Sequence, residues 1–482
     1  MNPLSVRRGG LAVGAAAFCV TLVGLPPAGL SLAAWHTAGI AVLMSVWWAT
    51  EATDIAVTSL LPIVLFPVLG IAEIEVATRP YGGALVFLFL GGFLIALAME
   101  RCGLHRRLAL AVIQRAGAGP QRLVLGFMLA TGLVSMWISN SATTMMMLPI
   151  ATSVAGLLLG DAGVVGSERD RRHFASCLML GVAYAASIGG VGTLIGTATN
   201  VVMANLLRGA PFFVEVGFAQ WMLVGVPFVV VMLPLSWWVL TRIAYPFALQ
   251  DAGAGAAQVR RARAELGPVT AAEQRVALVA VLVALAWVLR GFFKDAVPGA
   301  SDAGIAMTGA LALFLLPAGG AARGTLMDWQ GASKLPWGIA MLLGGGLALA
   351  DAMGTSGLAA WISAQLAGFG SWPLWMLLAL IVSVIIAVTE LTTNAAVVSA
   401  FGPVVGALAV GLGMNPVWLV APVGIAASCA FMLPVSTPPN AIVFGTGYVT
   451  VPQLMRAGLW LNLIAVPLVT LLGLFWVPRV FP

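Results

Sequence analysis

The run SMWISNSATTMMMLP, Ser135 to Pro149, sets small polar residues in the middle of an apolar stretch long enough to enter a membrane. It has a partner 254 positions later, TELTTNAAVVSAFGP, in which Ser135/Thr389, Ser139/Thr393, Asn140/Asn394 and Pro149/Pro403 fall in register. Irregular backbone at membrane depth is tolerated only where it is buried in protein or lines a wet cavity. A single Ser-Asn or Thr-Asn dipeptide reads as interhelical hydrogen-bonding glue. A matched interruption in each half of an apolar chain points instead to a solute site at the bilayer midplane of a secondary transporter.

Working outward, 61% of the 482 residues are hydrophobic and only 8% are charged. A soluble domain would carry about 25% charged residues, so the chain reads as all-α and polytopic. Punctuation by Gly, Pro and charge predicts spans near 9–30, 36–50, 54–71, 82–101, 175–205, 218–244, 275–293, 303–319, 336–352, 417–447 and 458–479. Re-entrant hairpins are expected at 122–158 and 372–411, giving eleven crossings and two opposed hairpins. With the N-terminus in the cytoplasm and the C-terminus outside, 18 of the 23 Lys and Arg face inward, among them Arg323 and Lys334. Only Arg79, Arg208, Arg290, Lys294 and Arg479 face outward, as the positive-inside rule requires. That bookkeeping works only if both hairpins return to the side they came from. Arg7 and Arg8 before an apolar run imitate a signal peptide, but the charge pattern favours a retained first span.

The net charge of +6 sits in short loops and reads as topology, which excludes a nucleic-acid footprint. Cys19, Cys102, Cys177 and Cys429 lack paired spacing and read as packing residues, and His36, His105 and His173 are too dispersed for a metal site. No nucleophile with a base, and no intramembrane GxSxG, marks an enzyme.

The repeat extends beyond the hairpins. Leu90-Gly91-Gly92 answers Leu343-Gly344-Gly345 upstream, and Gly196-Thr197-Ala198-Thr199-Asn200 answers Ser436-Thr437-Pro438-Pro439-Asn440 downstream. Five crossings separate the hairpins, so the halves are inverted, the arrangement from which alternating access is built. The connector near 246–274 reads as a cytoplasmic loop. We divide the chain into scaffold spans (1–121), first hairpin and broken helix (122–208), connector and second scaffold (209–371), and second hairpin, broken helix and last span (372–482).

Half-helices beginning after Asn140, Asn394, Gly196 and Ser436 would aim their N-terminal ends at one volume, and that end favours an anion. Ser139, Asn140, Ser141, Thr393 and Asn394 add donors for carboxylate or sulfate oxygens, while no Lys or Arg lies in these segments. Charge compensation therefore falls to helix ends and to cations bound alongside; oxygen groups at Ser135, Thr389 and the two Asn side chains suit sodium. A dianion entering alone against 100 mV, inside negative, costs about 4.6 kcal/mol, whereas three sodium ions per dianion turn this into a gain of about 2.3. Glu390, ionisable and near a hairpin tip, is either functional or a salt-bridged support. Met145 to Met147 read as packing.

At these residues the chain resembles the divalent-anion/sodium symporter family, the dicarboxylate and citrate carriers of the ion-transporter superfamily. The family's two Ser-Asn-Thr tips are matched by Ser139-Asn140-Ser141 and Thr393-Asn394-Ala395, and its broken helices by YAASIGGVGTLIGTATN (Tyr184 to Asn200) and MLPVSTPPNAIVF (Met432 to Phe444). The resemblance covers nearly the whole chain. It implies a homodimer in lipid with an elevator-type moving domain and no nucleic-acid partner. It places one sodium site on Ser135, Ser139, Asn140 and Gly196, a second on Thr389, Thr392, Asn394 and Ser436, and substrate contacts on Asn140, Ser141, Thr197, Thr393, Asn394, Thr437 and Pro438. Ala395 lacks the family hydroxyl, and Ala198-Thr199 stands where the family has Pro-Pro, which bears on the choice of anion. The expectation is a sodium-coupled importer of a C4-dicarboxylate such as succinate, malate or fumarate in the inner membrane. A sodium-independent exchanger, a sulfate carrier and, from another class, a channel are the alternatives.

Overall fold

A computed structural model describes residues 3–117, 119–159, 165–249, 253–293, 296–319, 324–366 and 372–482. Among the described residues the regular elements are all helices, joined by turns and irregular segments, and Pro317 and Thr325 form an isolated bridge. Nine helices among them are long and apolar enough to cross a membrane, and four shorter apolar helices accompany them. The fold is an all-α polytopic one. Lys294 and Arg323 lie outside the described residues.

Each expected hairpin is a helical pair joined by a four-residue tip. The first comprises Pro120–Ser135 and Asn140–Leu159, the second Leu374–Thr389 and Asn394–Gly411. An arm of sixteen residues is about 24 Å long, short of the roughly 30 Å of hydrocarbon. The two broken helices also stand where the sequence placed them. Glu168–Gly190 stops and Ala198–Arg208 restarts; Val417–Ala427 stops and Pro438–Phe444 restarts.

The halves interleave rather than sit side by side. Ala198–Arg208 packs on the second hairpin's Asn394–Gly411, and Pro438–Phe444 packs on the first hairpin's Asn140–Leu159. Tyr184, fully buried on the first broken helix, donates its hydroxyl to the Phe431 carbonyl at 3.0 Å, which ties the two breaks together. Around them stand Leu32–Thr50, Ala84–Cys102, Ala271–Phe293, Asp302–Leu315 and Trp337–Thr355.

Three features depart from the sequence reading. The span expected at 54–71 is two short helices, Ile55–Thr58 and Leu61–Val68, because Pro62 and Pro67 withhold two N–H donors and restrict the residues before them. The connector read as a loop contains the helix Ala254–Ala264, whose basic residues Arg260, Arg261 and Arg263 kept it from resembling a span. An amphipathic helix, Leu104–Ala116, follows Gly103, whose φ of 79° turns the chain sharply. Arg107 clamps it, pairing with Glu273 at 2.7 Å and donating to the Gly267 carbonyl at 3.0 Å.

Candidate functional site

The first tip is organised by a serine and an asparagine five residues apart. Ser135 Oγ lies 2.7 Å from Asn140 Oδ1 and 2.8 Å from the Ala186 carbonyl of the first broken helix. The second tip repeats this: Thr389 Oγ1 lies 3.0 Å from Asn394 Oδ1 and 2.7 Å from the Ala427 carbonyl. In each trio one hydroxyl proton serves two acceptors, so oxygen lone pairs are in surplus. Such a cluster suits a hard cation, which takes oxygen ligands.

The breaks are held open by a second pair of asparagines. Asn200 Nδ2 donates to the carbonyls of Gly190, Val191 and Thr193 at 3.1, 3.2 and 2.7 Å. Asn440 Nδ2 reaches the Ala430 and Leu433 carbonyls at 3.2 and 3.1 Å and Ser436 Oγ at 3.2 Å. These amides replace the intrahelical bonds that unwinding removes. The sequence motifs contained both residues without revealing the role; their matched position as the third residue of each restart was the signal.

The two breaks are otherwise unequal. The first, rich in glycine, turns on itself through short bonds from Val191 N–H to Ile188 and from Gly192 N–H to Gly189, at 3.2 and 2.9 Å. The second turns as tightly, from Ser428 N–H to Ile425 and from Cys429 N–H to Ala426 at 3.0 and 2.9 Å, but then continues through the non-glycine run Phe431, Met432 and Leu433. Here Glu390 intervenes: its carboxylate, 6% exposed, accepts from the N–H groups of Phe431, Met432 and Leu433 at 2.8, 3.0 and 3.1 Å and from Asn462 Nδ2 at 2.7 Å. Glu390 therefore supports the second break, and backbone N–H and amide groups hold it; the salt-bridge partner envisaged from sequence is replaced by these donors. Its register mate in the first half is Met136, whose carbonyl instead accepts from Thr193 Oγ1.

A cavity of about 850 Å³ lies between the tips. Ser139, Asn140, Ser141, Gly196, Thr197, Thr393, Asn394, Ser436, Thr437 and Pro438 line it together with Ala395 and Ala198. Ser135 and Thr389 stand behind this surface, fully buried, and Thr392 is buried with its hydroxyl unpartnered. Thr393 Oγ1 is likewise unpartnered. Thr437 caps its half-helix, accepting from Asn440 N–H at 3.3 Å. The Thr197 hydroxyl makes no such bond, and the Asn200 N–H donates to the Thr197 carbonyl at 3.2 Å instead.

The far wall was not legible from the hairpins. Glu51, Asp54, Phe93, Leu97, Glu100, Lys334, Ile339 and Leu342 line it, and Lys334 is the one cationic side chain on the cavity among the described residues. Glu51 pairs with Arg7 at 3.7 Å. Below the mouth Arg101 meets Asp328 at 2.7 Å, and its guanidinium, helped by the Gly331 N–H, holds the Asp328 carboxyl below the usual carboxylate range. Ionisable residues at the ends of apolar helices were the available signal.

Close backbone approach makes the first tip intolerant of bulk. A Cβ placed on Gly190 would collide with the Asn140 carboxamide oxygen. We predict that Gly190→Ala displaces Asn140 and weakens ligand binding in this cavity about tenfold or more, measured by titration of the purified chain, because overpacking costs of order 1–3 kcal/mol. Gly156, which has nothing near its Cβ position, is the matching control and should tolerate alanine without loss.

Comparison with known proteins places this geometry in a family. A family model described as the sodium:sulfate symporter transmembrane region matches residues 9–481. The sodium-dependent dicarboxylate transporter SdcS of Staphylococcus saprophyticus is 39% identical over 483 residues, covering 98% of this chain and 91% of that protein. SdcS of Staphylococcus aureus is 37% identical over 475 residues with the same coverage. Among solved structures, MtrF of Neisseria gonorrhoeae, described among antimetabolite efflux pumps, aligns with a TM-score of 0.62 at 13% identity, covering 99% of this chain and 95% of that one. The YdaH transporter of Alcanivorax borkumensis aligns with a TM-score of 0.57 at 17% identity over 83% and 86% of the two chains. At those identities the likeness is one of fold.

Proposed function

The chain belongs to the sodium:sulfate symporter transmembrane family, and from that membership we propose that it is a sodium-coupled importer of a C4-dicarboxylate such as succinate, malate or fumarate. The observation that carries the reading is the pair of oxygen trios, Ser135/Asn140/Ala186 and Thr389/Asn394/Ala427, built identically behind one cavity. The SdcS relatives are named for sodium-dependent dicarboxylate transport, which supports the choice of solute class and coupling ion.

In this reading each trio gives up its hydroxyl-to-amide bond to take a sodium ion. One site uses Ser135, Ser139, Asn140 and Gly196, the other Thr389, Thr392, Asn394 and Ser436. The Asn140 and Asn394 amide nitrogens then face the cavity, where Ser141, Thr197, Thr393, Thr437 and Pro438 surround the dianion. Sodium binding both neutralises the solute and turns the amides toward it, so neither binds well alone.

The hairpins and broken helices, 122–208 with 372–482, would move as one body against a scaffold of 1–121 and 209–371, an elevator-type exchange of access, in a homodimer of the inner membrane. With the N-terminus cytoplasmic, the mouth flanked by Arg7, Arg101 and Lys334 faces inward and the present conformation is inward-open.

Counterflow of labelled succinate into liposomes tests the proposal. Uptake that requires sodium and is inhibited by malate and fumarate is expected. Uptake indifferent to sodium but dependent on internal dicarboxylate would establish the exchanger instead, and uptake of sulfate alone the sulfate carrier.

A further inference from the structure

A second cavity, of about 320 Å³, lies outside the solute site, and its walls are almost wholly apolar. One wall is Leu133 and Trp137 of the first hairpin; the other is Gly92 and Met99 of Ala84–Cys102 with Ala280 and Ala284 of Ala271–Phe293. The small residues Ala280 and Ala284 line the gap without filling it, while Gly92 packs directly against Ile195. Protein interiors are packed to crystal density, so a void near ten times the roughly 30 Å³ share of a water molecule does not stand empty, and with no polar partners it does not hold water.

Its surroundings identify the occupant. The cavity is half open, and its rim residues Leu108, Leu133 and Val281 are 43%, 48% and 55% exposed on a chain that spans a membrane. The helix Ala271–Phe292 is only 22% buried, so the opening gives onto hydrocarbon. The cleft runs from Leu104, at the start of the surface helix, to Trp137 beside the hairpin tip, and follows Ala277 to Trp287 for about 15 Å of helix. That is half of a hydrocarbon core about 30 Å thick, one leaflet deep.

We infer that an acyl chain of a membrane phospholipid, from the leaflet on the side of Arg101 and Arg106, inserts between the first hairpin and the scaffold and completes their packing. The inference does not depend on which anion is carried or on sodium coupling. The chain fills the space through dispersion contacts with both walls, which a folded protein of this sequence cannot supply from its own side chains.

Photolabelling tests it. The full chain is reconstituted in dioleoylphosphatidylcholine vesicles containing a phosphatidylcholine with a diazirine on its acyl chain, irradiated and mapped by mass spectrometry. Labels are expected on Val134, which is only 5% exposed, and on Trp137, both lining the cavity, as well as on the outward-facing Leu282 and Leu289. Ala280→Phe together with Ala284→Phe should abolish the label on Val134 and Trp137 and leave Leu282 and Leu289 labelled. If the unmodified chain is labelled at Leu282 and Leu289 but not at Val134 or Trp137, the inference is overturned, whether or not the filled variant folds. Crosslinks between two copies of the chain at Trp137, with no lipid label there, would overturn it equally.

Discussion

Asn140→Ala and Asn394→Ala are each expected to lower the proposed sodium-driven succinate uptake by about a hundredfold or more, while Ser141→Ala costs only a few-fold. Each asparagine is the hub of its tip. Its oxygen shares the hydroxyl of Ser135 or Thr389, and it begins the half-helix that follows the tip. Removing it takes away an oxygen from the proposed cation pocket and a donor from the solute. Hydrogen bonds to charged groups contribute roughly 1.5–3 kcal/mol each, so losing two amounts to about 3–6 kcal/mol, or two to four decades. Ser141 lines the cavity but has no such double engagement. Uptake into proteoliposomes, normalised to reconstituted protein, measures both. Equal loss in all three variants would mean that the tips act only as packing.

Glu390→Ala should be the most damaging single change outside the cavity. It strands the N–H groups of Phe431, Met432 and Leu433 and the Asn462 amide. A buried donor left without a partner costs about 1–3 kcal/mol, so three backbone donors cost of order 3–9 kcal/mol, comparable to the whole stability of many proteins. No folded protein, or a fall in Tm of many degrees, is expected. Glu390→Gln keeps one accepting oxygen but turns an NH2 toward an N–H group, and should fold with a smaller drop in Tm. Met136→Ala, the same register position in the first half, strands no donor because the Met136 carbonyl does the accepting there, and should cost only the packing of its side chain against Gly192. Thermal unfolding of the three purified variants gives the order directly. A Glu390→Ala chain as stable as the parent would show that the second break does not need the carboxylate.

The parts of this architecture that sequence reveals are those where hydrocarbon penalises polarity. Tips at 136–139 and 390–393 and restarts at Ala198 and Pro438 stand out because polar residues interrupt apolar runs there, and offsets of 254 residues for the tips and 240 for the restarts pair them. What stayed hidden lies where the repeat stops. Glu51, Glu100 and Lys334 reach the cavity from positions outside the matched motifs, and Lys334 served only as a topology marker until the fold brought it to the mouth. Glu390 was ambiguous for a related reason: a carboxylate beside a tip looks the same in sequence whether it meets a solute or frayed backbone. The role of Asn200 and Asn440 required the distances to the carbonyls they clasp. The helices Leu104–Ala116 and Ala254–Ala264 escaped because apolarity, the signal that located the spans, is absent from both.

Equilibrium binding of labelled succinate to the purified full-length chain, in sodium and in an equal concentration of potassium, tests the central claim most directly. Saturable binding in sodium, absent in potassium and lost in both Asn140→Ala and Asn394→Ala, is the predicted result. Binding that is unchanged in potassium, or that survives the loss of either asparagine, would contradict a solute held jointly by two inverted tips and the cations beside them.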